Sequence, residues 1–570
     1  MDKEPKIRKV KYTRSKRACT TCRQIKLKCD AIDKFPKKCT RCERLGSICE
    51  IDTNFKREPV RRNSNSHTKV DTVSREDSIG SSLESNLSTL LTPNSTRTVD
   101  VFPYIDDVGD ELVDSLIPKD KIILMFKTFY QVNYCHLPIL SKQLLDPRYL
   151  WMKNYKLLFF AICNSTSVLC CPELELVLQD KIKELAYQND STYMVDPLHS
   201  LSVVFASLIL CYWPLRSSSI QNDESIVHVG RAVDIGMKIG LHRFAYTREY
   251  CITLDDALKE QIQTATVAWA GCFITKTVLC SIFGMPSSLP LNYNIFTTFK
   301  NLPQNNYIED FGKQLKLAQF IQTSMNSLGN NSETEFGMVD PAIRGIQHKA
   351  ITENLSIIIA ELTPCSKVTE SLSLLAKLLV HSFLLVPDTL PEDQDSAAMS
   401  LYLVCVKLIE ILLELVKENT NFPTFILSYS AMAATILYGL SISKRYRELI
   451  NKSIARNSLS DFYELMQKLQ RYPNDYPTRI VRVMDGLKSL DGKKLIREPI
   501  FTVRTRMGAS AFWSLLLPFK RAQIEEQQKN KDSTVEPLEQ ADVLDAFMND
   551  MFNQLWDGDL SNQIENSFFH

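Results

Sequence analysis

No catalytic signature runs through this chain. Its 570 residues contain no G-x-G-x-x-G run, no phosphate-binding P-loop and no H-E-x-x-H, and the eight histidines stand isolated. These gaps argue against dinucleotide, nucleotide and zinc-protease chemistry, so the chain reads as a non-enzyme. Net charge is nearly missing as well, at +1. The charged N-terminus has no apolar leader core, so a secretory signal is not expected. Strand-like alternation is scarce. One stretch without charge, Pro423 to Ser443, covers 21 residues and has to be weighed as a membrane span. It carries Ser428, Ser430, Thr435, Ser441 and Ser443, and its flanking charges show no sidedness. A buried core helix is the expectation, with no membrane partner.

What is present is unevenly spread. Residues 1–62 hold twenty Lys or Arg against eight Asp or Glu, a net of +12, which leaves the remainder at −11. A basic head on a mildly acidic body suits a polyanion-binding module joined to a larger soluble protein. The hydrophobic fraction of 44% implies a sizeable core.

Six of the sixteen cysteines crowd into that head: Cys19, Cys22, Cys29, Cys39, Cys42 and Cys49. The spacing is C-x2-C-x6-C, nine residues, and C-x2-C-x6-C again. Thiolates suit zinc, and each zinc takes four ligands in a tetrahedron. Two zincs need eight ligand places, so six thiolates suffice when two of them bridge. The duplicated half-site makes Cys19 and Cys39 the natural bridges. The competing readings are a disulfide framework, which a reducing compartment opposes, and chance clustering. The other ten cysteines, Cys135, Cys163, Cys170, Cys171, Cys211, Cys251, Cys272, Cys280, Cys365 and Cys405, lack ligand spacing and read as buried small hydrophobes.

The run Cys22-Arg23-Gln24-Ile25-Lys26-Leu27-Lys28-Cys29-Asp30, then Pro36, Cys39-Thr40-Arg41-Cys42 and Cys49, resembles the fungal zinc binuclear cluster transcription factors. Asp52, Phe55, Lys56 and Arg57 extend the match toward the subgroup containing the yeast leucine-pathway regulator. The resemblance implies that Lys26 reads bases in the major groove over a CGG triplet. Lysine suits guanine, whose O6 and N7 both accept hydrogen bonds. Ile25, where many relatives carry a second lysine, is a departure. Arg23, Lys28, Arg41, Arg44, Lys56 and Arg57 are cast as phosphate contacts, which position the protein without specifying sequence. For each, the plain alternative is a solvated charge. One triplet is too little sequence for a genome, so a dimer, expected as a homodimer, is implied.

Taken in order, residues 1–18 form a basic arm and 19–52 the zinc cluster, with a short helix after Cys39 ending near Gly46. Residues 53–117 are a flexible linker. Within it Asn63 to Thr98 contains nine Ser and six Thr, and Leu83, Leu87, Leu90 and Leu91 offer a marginal dimerisation element. Residues 118–520 read as an all-helical regulatory domain. A core helix over Ser400 to Lys417 shows water one charged stripe, Lys407, Glu410, Glu414 and Lys417. Gly230, Ala232, Gly236 and Gly240 are expected to let helices approach closely, and His242 to cap a helix or bond within the core. The run from Val229 to Arg243, with Trp269 to Pro286, resembles the fungal middle regulatory region. Residues 521–540 form a polar tether, and 541–570 carry six acids and no Lys or Arg. Leu544, Phe547, Met548, Met551, Phe552, Leu555 and Trp556 are interleaved there, the composition of an activation segment that docks on coactivators. A last helix packed on the body is the alternative.

The expected fold is therefore mostly α: a two-zinc, six-cysteine DNA-binding head, a disordered linker, a large helical regulatory domain and an acidic tail. The expected function is a nuclear regulator of RNA polymerase II genes, an activator that binds double-stranded DNA, open to a small-molecule effector. The rival is an all-helical metabolite-binding or enzymatic protein whose zinc module only docks it to a partner. The basic surplus confined to the head separates the two.

Overall fold

The computed structural model describes residues 29–30, 34, 37–44 and 49 of the head, and 117–531 apart from 188–195, 218–222, 251–256, 288, 290–294, 303–304 and 419–420. The basic arm, the linker with its leucine repeat, the activation segment and Gly46 lie outside the described residues, as does Cys251. The chain divides into two units, Met1–Thr98 and Val99–His570. In the first, one helix is described, α1 (Thr40–Arg44).

The described residues of the second unit form helices and their connections, with no strand among them. Its α-helices are α2 (Lys119–Thr128), α3 (Pro147–Met152), α4 (Lys156–Cys170), α5 (Glu175–Tyr187), α6 (Pro197–Tyr212), α7 (Ser225–Lys238), α8 (Thr247–Tyr250), α9 (Ala257–Phe283), α10 (Ile295–Asn301), α11 (Asn306–Gly329), α12 (Pro341–Leu362), α13 (Lys367–Ser382), α14 (Pro391–Glu418), α15 (Phe425–Ile442), α16 (Lys452–Leu469), α17 (Tyr476–Gly492) and α18 (Ser510–Lys531).

Local chemistry starts many of these helices. Asp146, Asp196, Asn305, Asp340, Ser366, Asn451 and Asp475 each accept a first-turn backbone N–H through the side chain. Pro147, Pro197 and Pro341 follow their caps, where proline's missing N–H costs nothing. One apolar core then runs from Ile117 to Phe519. Neighbouring helices pack in sequence, α6 on α7, α13 on α14 and α14 on α15, while α9 reaches across to α11 and α15.

Two helices are long and apolar enough to cross a membrane, α15 and the Thr264–Phe283 part of α9. In α15 83% of that window is buried and in α9 89%, so both are core helices, as expected for the uncharged stretch. The helix predicted from Ser400 begins earlier, at Pro391, because acidic residues and a proline open it. Its charged stripe is used: Lys407 pairs with Glu410 at 3.3 Å, and Lys367 of α13 with Glu414 at 2.9 Å and Glu418 at 2.6 Å. At the other end, α18 continues past Lys520 into the expected tether.

Two expectations need correction. Of the small residues on α7 and its exit, Gly236 lies against Trp269 and Gly240 against Tyr250, but a Cβ at Gly230 would meet nothing within 4 Å. Gly230 sits on the open side of the helix. Cys365 is exposed, in the turn between α12 and α13, and Cys135 and Cys170 are only half-buried; the remaining described members of the ten are buried. His242, expected to cap a helix or bond within the core, makes ring contacts with Tyr250 (centroids 5.0 Å apart) and Trp269 (5.9 Å). Burial pushes its imidazole below the usual value.

Candidate metal centre and nucleic-acid interface

Cys39 stands immediately before α1 and Cys42 in its first turn, three residues apart and therefore on one face. Both are buried, with Cys29 and Cys49 packed against them, so among the described residues of the head the core is made of thiols. The Sγ atoms of Cys39, Cys42 and Cys49 lie within 4.8 Å of one another. A tetrahedral zinc holding sulfur at about 2.3 Å separates its thiolates by about 3.8 Å. The donor set and its spacing fit zinc. When bound, the metal supplies the cross-link that about thirty residues cannot obtain from apolar burial.

The backbone prepares the thiolates. The Cys42 N–H donates to the Cys39 Sγ at 3.3 Å, and the Cys39 N–H to the Cys49 Sγ at 3.3 Å. The Cys42 N–H is the main reason that the Cys39 thiol is pushed down to about 6. A thiol in that range is largely ionised near neutral pH, the form that binds metal.

Asp30 fixes the entry to α1. Its carboxylate accepts the Thr40 N–H at 3.0 Å and the Thr40 hydroxyl, and the Thr40 bonds hold its pKa below the usual value. Lys34 lies 3.7 Å from Glu43. Asp30 and Thr40 were legible as motif letters, but a cap formed across ten residues gives no local signal. Of the expected DNA contacts, Arg41 is half-buried and Arg44 exposed, both in the last turn of α1. Cys19, Cys22, Arg23, Lys26, Lys28, Lys56 and Arg57 lie outside the described residues, as do Leu544, Phe547, Met548, Phe552, Leu555 and Trp556.

Residues 17–58 match the fungal Zn(2)-Cys(6) binuclear cluster domain. The chain carries a fungal-type zinc-cluster domain in its head. It is 23% identical to SEF1 of Eremothecium gossypii over 88% of this chain and 60% of that protein. The transcriptional regulatory protein SEF1 of Candida albicans matches at 23% identity over 80% of the chain and 58% of the relative. The regulatory protein LEU3 of Saccharomyces cerevisiae matches at 22% over 56% and 45%. The chain thus spans about three fifths of the length of the curated SEF1 relatives it matches first. No solved structure matches it. The relatives carry transcription-factor and regulator names.

Proposed function

We propose that this zinc-cluster protein is a nuclear, sequence-specific transcription factor of RNA polymerase II genes that reads paired CGG-type triplets as a homodimer. The observation that carries the reading is the thiolate knot of Cys39, Cys42 and Cys49 at the foot of α1, with Arg41 and Arg44 on the same short helix. It lies inside a head of net charge +12. A partner-docking module has no need of that surplus, whereas a phosphate backbone does. Six thiolates serve two zinc ions, with Cys19 and Cys39 bridging. Lys26 reads guanine; Arg23, Lys28, Arg41, Arg44, Lys56 and Arg57 hold phosphates. The regulatory-protein names of SEF1 and LEU3 support this role.

The protein is an activator in this reading, and residues 541–570 dock on coactivators through Leu544, Phe547, Met548, Phe552, Leu555 and Trp556. The domain boundaries are those drawn from composition, with the helical region 118–520 tuning the tail and open to a small-molecule effector. The test is gel-shift binding of the full chain to paired CGG sites at moderate salt. Tighter binding than to scrambled DNA is expected; equal affinity for both would sink the specific-reader role.

A further inference from the structure

Helix α12 packs on α11 and α13. Its inward side buries Arg344, Leu355 and Leu362 and lays Ile351, Ile358 and Ile359 against the core. A surface helix docked in this way ordinarily turns a polar side to water. Here the outward side is apolar as well. Ile343 is 50% exposed, Ile346 73% and Ile357 60%, and Ala350 and Ala360 are exposed with them. Helix propensity does not ask for these isoleucines, because β-branched side chains lose rotamer freedom against the preceding turn.

Their spacing points to what covers them. Ile343, Ala350 and Ile357 recur every seven residues, and Ile346, Glu353 and Ala360 each stand three residues further on. These are the a and d positions of three heptads, a seam that fits another helix with the same repeat. In a parallel pair Glu353 would face Glu353 across the seam, two like charges in contact. In an antiparallel pair a positions meet d positions. Ile346 then packs on Ile357 of a second copy, Ile343 on Ala360 and Ala350 on Glu353. Each contact occurs twice, the self-complementarity that a two-fold axis requires. The same register sets Glu353 beside Lys349 of the second copy. Both are exposed, and neither makes an ion pair among the described residues. Within one helix, Lys four residues before Glu is the weaker order, so these charges are left for a partner.

Charge disfavours the other occupants. Residues 541–570, with six acids and no Lys or Arg, would set their charges against Glu353 and Glu361. A membrane surface asks for Lys and Arg along the flanks of an apolar face, and Lys349 is the one exposed Lys or Arg on α12. We propose that α12 is a dimerisation surface and that its occupant is α12 of a second copy, antiparallel, with Ile346 on Ile357 and Glu353 beside Lys349. One helix pair buries less than the ~1,200 Å² at which stable complexes begin, so the association is weak, with a Kd of about micromolar. This deepens the homodimer reading and rests on it, giving the dimer a contact outside the head. Association is measured without DNA. A chain that dimerises through α12 yet binds CGG and scrambled DNA alike fails only as a specific reader.

The test is sedimentation equilibrium of the zinc-loaded full chain at several concentrations. A monomer–dimer equilibrium is expected, and Ile346→Glu combined with Ile357→Glu should raise its Kd about tenfold or more. Lys349→Glu alone and Glu353→Lys alone should each weaken the dimer, since each sets like charges side by side. The two together should restore it, a rescue that damage to the fold does not produce. Chains carrying Ile346→Cys and chains carrying Ile357→Cys, mixed and oxidised with diamide, should yield a disulfide-linked peptide pair joining positions 346 and 357, found by mass spectrometry. A monomer up to about 100 µM overturns the proposal. So does a dimer that the isoleucine variants leave unchanged, which is held elsewhere, a double charge swap without rescue, or a cross-link that joins 346 only to 346.

Discussion

Arg344 is 2% exposed, and its guanidinium reaches Asp388, 44 residues away, through Nη1 at 2.8 Å and Nη2 at 3.4 Å. The same group donates to the Val339 carbonyl and to the Thr389 hydroxyl, so one arginine ties the start of α12 to the turn before α14. Asp388 is 29% exposed and also lies 3.7 Å from Arg504. The two partners are therefore unequal. Asp388→Ala strands a buried cation and should destabilise the chain by about 2–4 kcal/mol, whereas Arg344→Met leaves a carboxylate that water and Arg504 still reach and should cost less. Urea midpoints of the two variants check the order. Burial pushes the Asp388 carboxyl up, but the Arg344 bond and charge and the Arg504 charge outweigh it and hold the pKa low. Its contribution is present above the unfolded value of about 3.9 and is lost as pH falls through the lower folded value.

Another pair senses milder acid. His348 Nε2 and His381 Nδ1 are 3.0 Å apart between α12 and α13. Burial pushes His348 down to about 4, against the pull of Asp393, and His381 down to about 3, helped by His348 and Lys377. Below about pH 6.5 the unfolded chain takes up protons that the folded pair refuses. Stability should thus fall from pH 6.5 toward 4, by at most about 1.4 kcal/mol per pH unit for each histidine. Melting temperatures across that range should show the slope, and His348→Gln combined with His381→Gln should reduce it, with buried His136 supplying part of what remains. An unchanged slope would remove the pair from the account.

Gly284 ends α9 in a left-handed conformation, φ +67°, with the Met285 N–H on the Cys280 carbonyl and the Gly284 N–H on that of Ser281. A Cβ there would meet the Arg506 carbonyl oxygen at 2.5 Å, and Arg506 itself donates to the Phe283 carbonyl at 3.1 Å. Gly284→Ala is expected to cost about 2 kcal/mol or more, combining the left-handed penalty with a backbone clash. Chemical denaturation measures it; a loss within about 0.5 kcal/mol would mean that the chain gives way at Arg506.

These residues also show where sequence was enough. The cysteine repeat announces its chemistry because metal geometry fixes ligand spacing locally, and Cys39, Cys42 and Cys49 do converge. The core helices α14 and α15 follow from uncharged or one-striped runs, since burial acts on every turn. Arg344 carries no such mark: on paper it is one more charge on a helix, and its partner is set only by tertiary packing. Asp30 as a cap on α1 was hidden for the same reason.

Zinc should be needed by the head and not by the helical unit, whose apolar core stands without metal. A strong chelator at neutral pH is expected to abolish DNA binding while the far-ultraviolet helical signal persists. Native mass spectrometry should count two zincs per chain. Cys39→Ser should then lose more zinc than Cys49→Ser, because a bridging thiolate serves both ions. Equal loss in the two variants would overturn the assignment of Cys39 as a bridge.

The roles given to the basic residues separate by what each change does to DNA preference. Lys26→Ala should lower the discrimination between CGG and scrambled sites by about 1–3 kcal/mol, since it removes a donor to guanine O6 and N7. Arg57→Ala and Arg44→Ala should weaken binding to both sites alike and reduce the slope of log affinity against log salt by about 1 each. Arg44 is the sharper control of the two, because it is exposed in the last turn of α1 and its loss leaves the thiolate core untouched. Titrations at several salt concentrations on both sites decide the matter: a loss of preference in Arg44→Ala, or a uniform loss in Lys26→Ala, would exchange their roles.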